Sequence, residues 1–445
     1  MKRYIWILAG LAAVACIIAA WIIYVPGPTA FASGGTVALS DYKDGDPTGV
    51  PASLAKADLI KRGEYLTRAA DCEACHTSKG GEPYAGGLAF KLPFGTMYSP
   101  NITADKETGI GNWTDADFLN AMHRGIAPDG SRLYPAFPYP SYTLLTNDDV
   151  MAIKAFLFNL TPVHRETPQN SLMFPFNQRW LMAFWSFFYN SNERYRPNPS
   201  QSAEWNRGAY LAEALGHCGE CHTPRNLMQA VNNKKKFAGA VTAGWRAYNI
   251  TQDQTSGIGS WDIETTASFL AHGHAEGLGT ASGPMGEAID MSLRHMTPED
   301  IKALVVYLKT IPAIRDTTLP LPKTMVASAF PHSEEISDNV RGAMIFAGAC
   351  AACHSWTGKS AVLSYADFIG SRTVNDPTAR NVAQAIIWGV TRHTPNGVVT
   401  MPGFGNAYSA EEIAAVSNYI TARFGAEKSR ITAQEVKTIG KQASQ

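Results

Sequence analysis

Cys72-Glu73-Ala74-Cys75-His76 is the stretch that decides how this chain folds, and it returns as Cys218-Gly219-Glu220-Cys221-His222 and as Cys350-Ala351-Ala352-Cys353-His354. Two cysteines three apart share one helical turn, spaced to bond both vinyl groups of a porphyrin. The next residue then aims its imidazole at the iron. A zinc site or a thioredoxin-like pair accounts for the thiols, but not for a histidine in the same place three times. The copies use six of the seven cysteines. The sequence therefore implies three covalent c-type haems, with His76, His222 and His354 as proximal iron ligands.

Length agrees: 445 residues suit about three domains of ~150 residues, one per motif. Charge is balanced at 38 basic and 38 acidic residues, and only 17% of the chain is charged, so no nucleic-acid partner is expected. After Lys2 and Arg3, Tyr4 to Val25 carries no charge. As a helix it measures about 33 Å, enough for a hydrocarbon layer of about 30 Å. Trp6, Trp21 and Tyr24 lie towards its ends, where aromatic rings favour the interface. The expectation is an N-terminal anchor in a bacterial inner membrane, with the remaining chain on the periplasmic side. The alternative is a signal peptide cleaved after Ala30-Phe31-Ala32, although secretory apolar segments are shorter. Cys16 is read as a membrane-helix residue rather than a lipidation site.

Larger repeats surround the motifs. Arg62-Gly63, Arg207-Gly208 and Arg341-Gly342 precede them, with Tyr65, Tyr210 and Met344 two residues after each glycine. Each repeat closes on a helix opened by a hydroxyl residue with an acid three positions on: Thr146 and Asp149, Thr297 and Asp300, Ser409 and Glu412. Helix, motif, long loop and final helix is the plan of a class I cytochrome c domain. The expected fold is mostly α, three such domains in tandem after one transmembrane helix. Boundaries fall at 1–32 for the anchor or signal peptide, 33–57 for a linker, and 58–165, 201–318 and 337–425 for the domains. An aromatic connector occupies 166–200, a second linker 319–336 and a polar tail 426–445, expected to be mobile or draped on a partner. The first two repeats also share Asn101-Ile102-Thr103 with Asn249-Ile250-Thr251, and Gly109-Ile110-Gly111 with Gly257-Ile258-Gly259. These read as turn chemistry in a common loop. Phe174 to Tyr189, with Trp180 and Trp185, is either packed between domains or an exposed patch for lipid or a partner.

An electron-transfer haem usually has a second axial ligand, commonly Met, on the loop before the final helix. Met401-Pro402 and Met285-Gly286 hold that position in the third and second repeats. Met291 and Met296 compete with Met285, but Met296 adjoins the helix cap. In the first repeat Phe137-Pro138 stands there, and Phe cannot ligate iron. Met122, on a helical segment expected from Asp115 to Arg124, is preferred for that iron, with Met97, His123 on the same segment or an open position as alternatives.

Tyr84-Ala-Gly-Gly-Leu88, Tyr98-Ser-Pro-Asn-Ile-Thr103, Leu133-Tyr-Pro-Ala-Phe-Pro-Tyr139 and His217-Cys-Gly-Glu-Cys-His-Thr-Pro-Arg225 resemble the tri-haem cytochrome c subunit of membrane-bound periplasmic dehydrogenases. The resemblance implies a subunit that accepts electrons from a catalytic partner and delivers them to ubiquinone. It implies His76, His222 and His354 as proximal ligands, with Met285 and Met401 opposite the second and third irons. Phe137 and the run Phe174 to Arg179 look closest to relatives that accompany a molybdopterin aldehyde dehydrogenase with a 2Fe–2S subunit. Alcohol, gluconate or sorbitol dehydrogenases, with flavin or pyrroloquinoline quinone, are the alternative partners. A self-contained haem enzyme such as a peroxidase, and a membrane-tethered shuttle, are the competing functions.

Overall fold

The computed structural model describes residues 2–23, 35–38 and 49–443. Lys2–Ile23 is a helix, with exposed side chains described from Tyr4 to Ile17 and at Ala19 and Ala20. Among the described residues no helix is long and apolar enough to cross a membrane. The end of the expected anchor at Tyr24 and Val25, and the alternative cleavage point at Ala30 to Ala32, lie outside the described residues.

Three crossed helix pairs organise the rest. Leu59–Ala69 crosses Asn147–Asn159, Ala203–Tyr210 crosses Pro298–Leu308, and Val340–Ile345 crosses Ala410–Phe424. The glycine of each Arg-Gly pair sits at a crossing. A Cβ on Gly63, Gly208 or Gly342 would overlap the carbonyl of Ala152, Ala303 or Ala415 respectively. The recurring glycine is thus a helix-packing requirement, since only hydrogen lets the backbones approach this closely.

The caps form, and two of them carry a second duty. Thr146, Thr297 and Ser409 accept hydrogen bonds from the amides three residues on, at 3.0, 3.4 and 3.2 Å. At Ser409 the reciprocal bond from its own amide to Glu412 completes the box at 2.8 Å. Asp149 and Asp300 are buried and turn their carboxylates elsewhere. Tyr210 of the second repeat donates to Asp149 of the first at 2.7 Å, while Tyr65 of the first donates to Asp300 of the second. Arg207 also donates to Asp300, at 2.8 Å. Repeats one and two therefore clasp each other through an exchange of tyrosines. They share one core, in which Leu66, Leu145 and Leu157 join Leu211, Leu215 and Leu304. Met344 replaces the tyrosine in the third repeat and is 70% exposed. That repeat has its own core around Phe346, Val382, Ile420 and Phe424.

The repeated Asn-Ile-Thr triplets are turns. Asn101 accepts from the amide of Thr103 at 3.0 Å and donates to the Val163 carbonyl at 2.7 Å; Asn249 does the same with Thr251 at 2.8 Å and Ile314 at 2.7 Å. Each pins its loop to the segment after the closing helix. Short antiparallel strands supply the remaining order. Ala89–Leu92 pairs with Gly95–Tyr98, to which Ser171–Leu172 adds a third strand, so the connector folds back on the first repeat. Gly35–Ala38 pairs with Glu193–Arg196.

The tail corrects the expectation of a mobile or partner-draped end. Ala433–Ala443 is helical, and Ile431, Val436 and Ile439 are buried against the third repeat. The segment is polar on average, but its few apolar residues line one face. The aromatic connector divides. Trp185 is buried, in edge-to-face contact with Tyr139 and donating to the Met228 carbonyl at 2.8 Å. Phe174, Trp180, Phe184, Phe187 and Phe188 are exposed.

Candidate functional site

Each motif is a short helix fed by a distorted turn. Cys72–His76 follows Asp71, which takes a left-handed conformation at φ 53°, as Asp tolerates. A π-helical turn at Leu211–Leu215 precedes the second motif, and one at Phe346–Cys350 runs into the third and ends on its first cysteine. Such widened turns are uncommon and gather at functional sites.

The three histidines are oriented alike. His76 Nδ1 lies 2.8 Å from the Pro100 carbonyl, His222 Nδ1 2.6 Å from that of Tyr248, and His354 Nδ1 2.6 Å from that of Ala366. A carbonyl only accepts, so Nδ1 carries the proton and Nε2 keeps its lone pair. That is the tautomer a metal-binding imidazole needs, fixed by its outer hydrogen bond. Burial pushes all three imidazoles below their ordinary pKa, against the raising effect of the carbonyls, so they stay neutral. His354 also stacks on Phe368, ring centroids 4.3 Å apart.

The first thiol of each motif is half-buried and the second is exposed. Cys75 and Cys221 reach solvent, yet the protein around them desolvates their thiolates. Burial first, then the charges of Asp71, Glu287 and Cys221, pushes Cys75 up to about 12. Burial and then Glu220 push Cys221 up to about 11. Two thiols and a neutral imidazole with a free Nε2 are the donor set that haem c requires, so the residues fit the group. When bound it supplies a one-electron iron couple whose potential follows axial ligand and burial.

The structure corrects the local setting of the expected distal ligands. Met285 lies not on a loop but in the first turn of the helix Gly283–Met291, because Pro284 favours a helix start. Met401 ends the second strand of a hairpin, Val390–Thr394 with Gly397–Met401, opposite Val390. Phe137 occupies the corresponding place in the first repeat, just before the helix Tyr139–Tyr142, with its ring 5.4 Å from that of Tyr142. Met122 is buried on the helix Asp115–Arg124, whose span matches the sequence expectation. Its neighbour His123 has Nδ1 2.6 Å from an amino group of Arg194. Met97 is buried on the strand Gly95–Tyr98.

Residues outside the haem motifs join the repeats at their seams. Tyr142 donates to the Ala70 carbonyl at 3.1 Å and meets the His217 ring edge-on at 5.5 Å. Ser292 donates to the Ala69 carbonyl at 3.2 Å. These contacts stitch the turn before the first motif to the second repeat, so the first two sites are close neighbours. At the other seam His274 stacks on Tyr365 at 4.4 Å, Arg246 pairs with Asp376 at 3.1 Å, and Arg372 donates to the Thr255 carbonyl at 2.6 Å. Only His217 belonged to a quoted motif run; the rest become visible once distant segments are brought together.

Comparison with known proteins adds the family. Residues 60–161 match the family model described as Cytochrome c, and residues 337–420 that described as Cytochrome C oxidase, cbb3-type, subunit III. The chain is 36% identical over 416 residues to the fructose dehydrogenase cytochrome subunit of Gluconobacter japonicus, covering 88% of this chain and 85% of that protein. It is 36% identical to the gluconate 2-dehydrogenase cytochrome c subunit of Pantoea cypripedii, covering 86% and 90%. A nicotinate dehydrogenase subunit of Pseudomonas putida is 37% identical over 84% of this chain, which spans only 31% of that longer protein.

Proposed function

Because the chain belongs to the family of cytochrome c subunits of dehydrogenases, we propose that it is an electron-transfer subunit with three covalent haems, serving a separate catalytic subunit. The observation that carries this reading is the threefold pairing of a Cys-x-x-Cys-His motif with a histidine whose Nδ1 is tied to a carbonyl. Within the chain, the cysteines anchor the porphyrins, the carbonyls of Pro100, Tyr248 and Ala366 hold the imidazoles, and the buried walls limit water. Met285 and Met401 are the proposed distal ligands of the second and third sites, and Met122 that of the first.

The finer assignments belong to the same proposal. The catalytic partner is an aldehyde dehydrogenase with molybdopterin and a 2Fe–2S subunit, on the strength of Phe137 and the run Phe174 to Arg179. The uncharged segment from Tyr4 to Val25, whose end lies outside the described residues, anchors the chain in the inner membrane with the haem sites on the periplasmic side, and ubiquinone is the acceptor. The exposed rings of Trp180, Phe184, Phe187 and Phe188 suit lipid. Beside them a cavity of about 280 Å³, lined in part by Trp185, Phe188 and Arg225, adjoins Gly219 of the second motif and suits a quinone headgroup. No bond-making chemistry is asked of this chain, which favours the subunit reading over a peroxidase.

Purification of the full chain from detergent-solubilised membranes, with cofactor analysis of what accompanies it, tests the proposal. Molybdopterin and 2Fe–2S are expected. A flavin or pyrroloquinoline quinone dehydrogenase keeps the electron-transfer role and refutes the molybdenum partner. A chain that travels alone under every mild detergent contradicts the subunit reading.

A further inference from the structure

Arg392 is among the largest fully buried side chains, 1% exposed, and it leaves its own repeat. It sits on the first strand of the third-repeat hairpin that ends at Met401. Its guanidinium crosses into the second repeat, where Nη1 donates to the Gly286 carbonyl, one residue beyond Met285. The same nitrogen lies 3.1 Å from Asp290 on that helix, and His393 Nδ1 lies 3.4 Å from the same carboxylate oxygen. Gly273 makes room: it has φ +71°, and a Cβ there would overlap the guanidinium. Arg392 Nε and Nη2 are buried with no hydrogen-bond partner in the protein. Orphaned donors on a buried cation are costly and rare, and call for an acceptor.

We propose that Arg392 is a positioning residue of the second haem site, supplied by the third repeat. It holds the turn carrying Met285 and offers its two remaining nitrogens, Nε and Nη2, to a propionate of the porphyrin bound there. The inference rests on the haem reading given above. A guanidinium suits this duty because its fork serves a carbonyl and carboxylates together, which a lysine ammonium cannot match geometrically. The consequence is an interdomain dependence. The distal segment of the second site and the hairpin ending in Met401 are held by one side chain, so the second site is incomplete without the third repeat.

The test uses the full chain with Arg392→Gln, Arg392→Lys and, as a control for general loosening of the same seam, Arg372→Gln. Covalent haem content is measured first, then spectrally resolved redox titration and the charge-transfer band of thioether-ligated ferric haem. Arg392→Gln is expected to keep three haems, to lose or weaken that band for one, and to lower one potential, since a nearby cation favours the reduced iron. Arg392→Lys, which keeps the charge and much of the fold, is expected to restore part of the potential but not the full band. Arg372→Gln is expected to change neither. Three haems with every band and potential unchanged in Arg392→Gln overturn the positioning role, as does an equal change in Arg372→Gln. Fewer than three haems in the parent chain overturns the haem reading itself, a separate failure.

Discussion

Tyr210→Phe removes a single oxygen from the clasp between the first two repeats, and its cost follows from the contacts that oxygen makes. The hydroxyl is buried, donates to Asp149 at 2.7 Å and accepts from the Thr146 amide at 2.9 Å. Loss of a hydrogen bond to a charged acceptor costs about 1.5–3 kcal/mol, and an amide left unpaired in the interior adds roughly 1–3 kcal/mol. Asp149 keeps its bond from the Gly49 amide at 2.8 Å, which tempers the loss. A net destabilisation of about 2–4 kcal/mol is expected, equivalent to a fall in Tm of roughly 5–15 °C for a unit of this size. Burial, then the Asp149 charge, raises the Tyr210 pKa well above its ordinary value of 10.0. A pKa raised on folding stabilises fully below the unfolded value and is lost above it, so the clasp weakens as pH climbs past about 10. Scanning calorimetry of the haem-loaded chain is the assay, with Met344→Ala at the exposed counterpart in the third repeat as control, expected to stay within about 0.5 kcal/mol. A Tyr210→Phe shift no larger than that of Met344→Ala would refute the clasp.

Other outcomes are expected elsewhere. Gly208→Ala forces a Cβ into the Ala303 carbonyl and should cost about 1–3 kcal/mol or more, read as a lower Tm with haem content preserved. Met285→Ala and Met401→Ala should each remove one thioether-ligated low-spin signal and lower one potential; if neither changes a haem spectrum, the distal assignments are wrong. Met122→Ala should alter the first site alone, and a spectrum that responds to Met97→Ala instead would transfer the role. Trp180→Ser with Phe184→Ser, both on exposed rings, should slow quinone reduction while leaving reduction by the dehydrogenase intact, whereas unchanged quinone kinetics would remove the aromatic face from that role.

Local features were the legible ones. The motif triplets, the capped closing helices and Asp115–Arg124 stand in the sequence because short-range hydrogen bonding and residue spacing set them. Long-range pairing was not legible. Asp149 and Asp300 look like capping acids until Tyr210 and Tyr65 arrive from the other repeat. Arg392 looks like a surface cation on a hairpin until the helix beginning near Met285 packs against it. The tail misleads for the opposite reason, because average polarity hides the single apolar face formed by Ile431, Val436 and Ile439.

Covalent haem per chain is the most direct measurement of the central claim. Pyridine haemochrome quantitation on the fully matured, purified chain should give three c-type haems, with thioether bonds consuming the thiols of Cys72, Cys75, Cys218, Cys221, Cys350 and Cys353. A value of two or fewer contradicts the account.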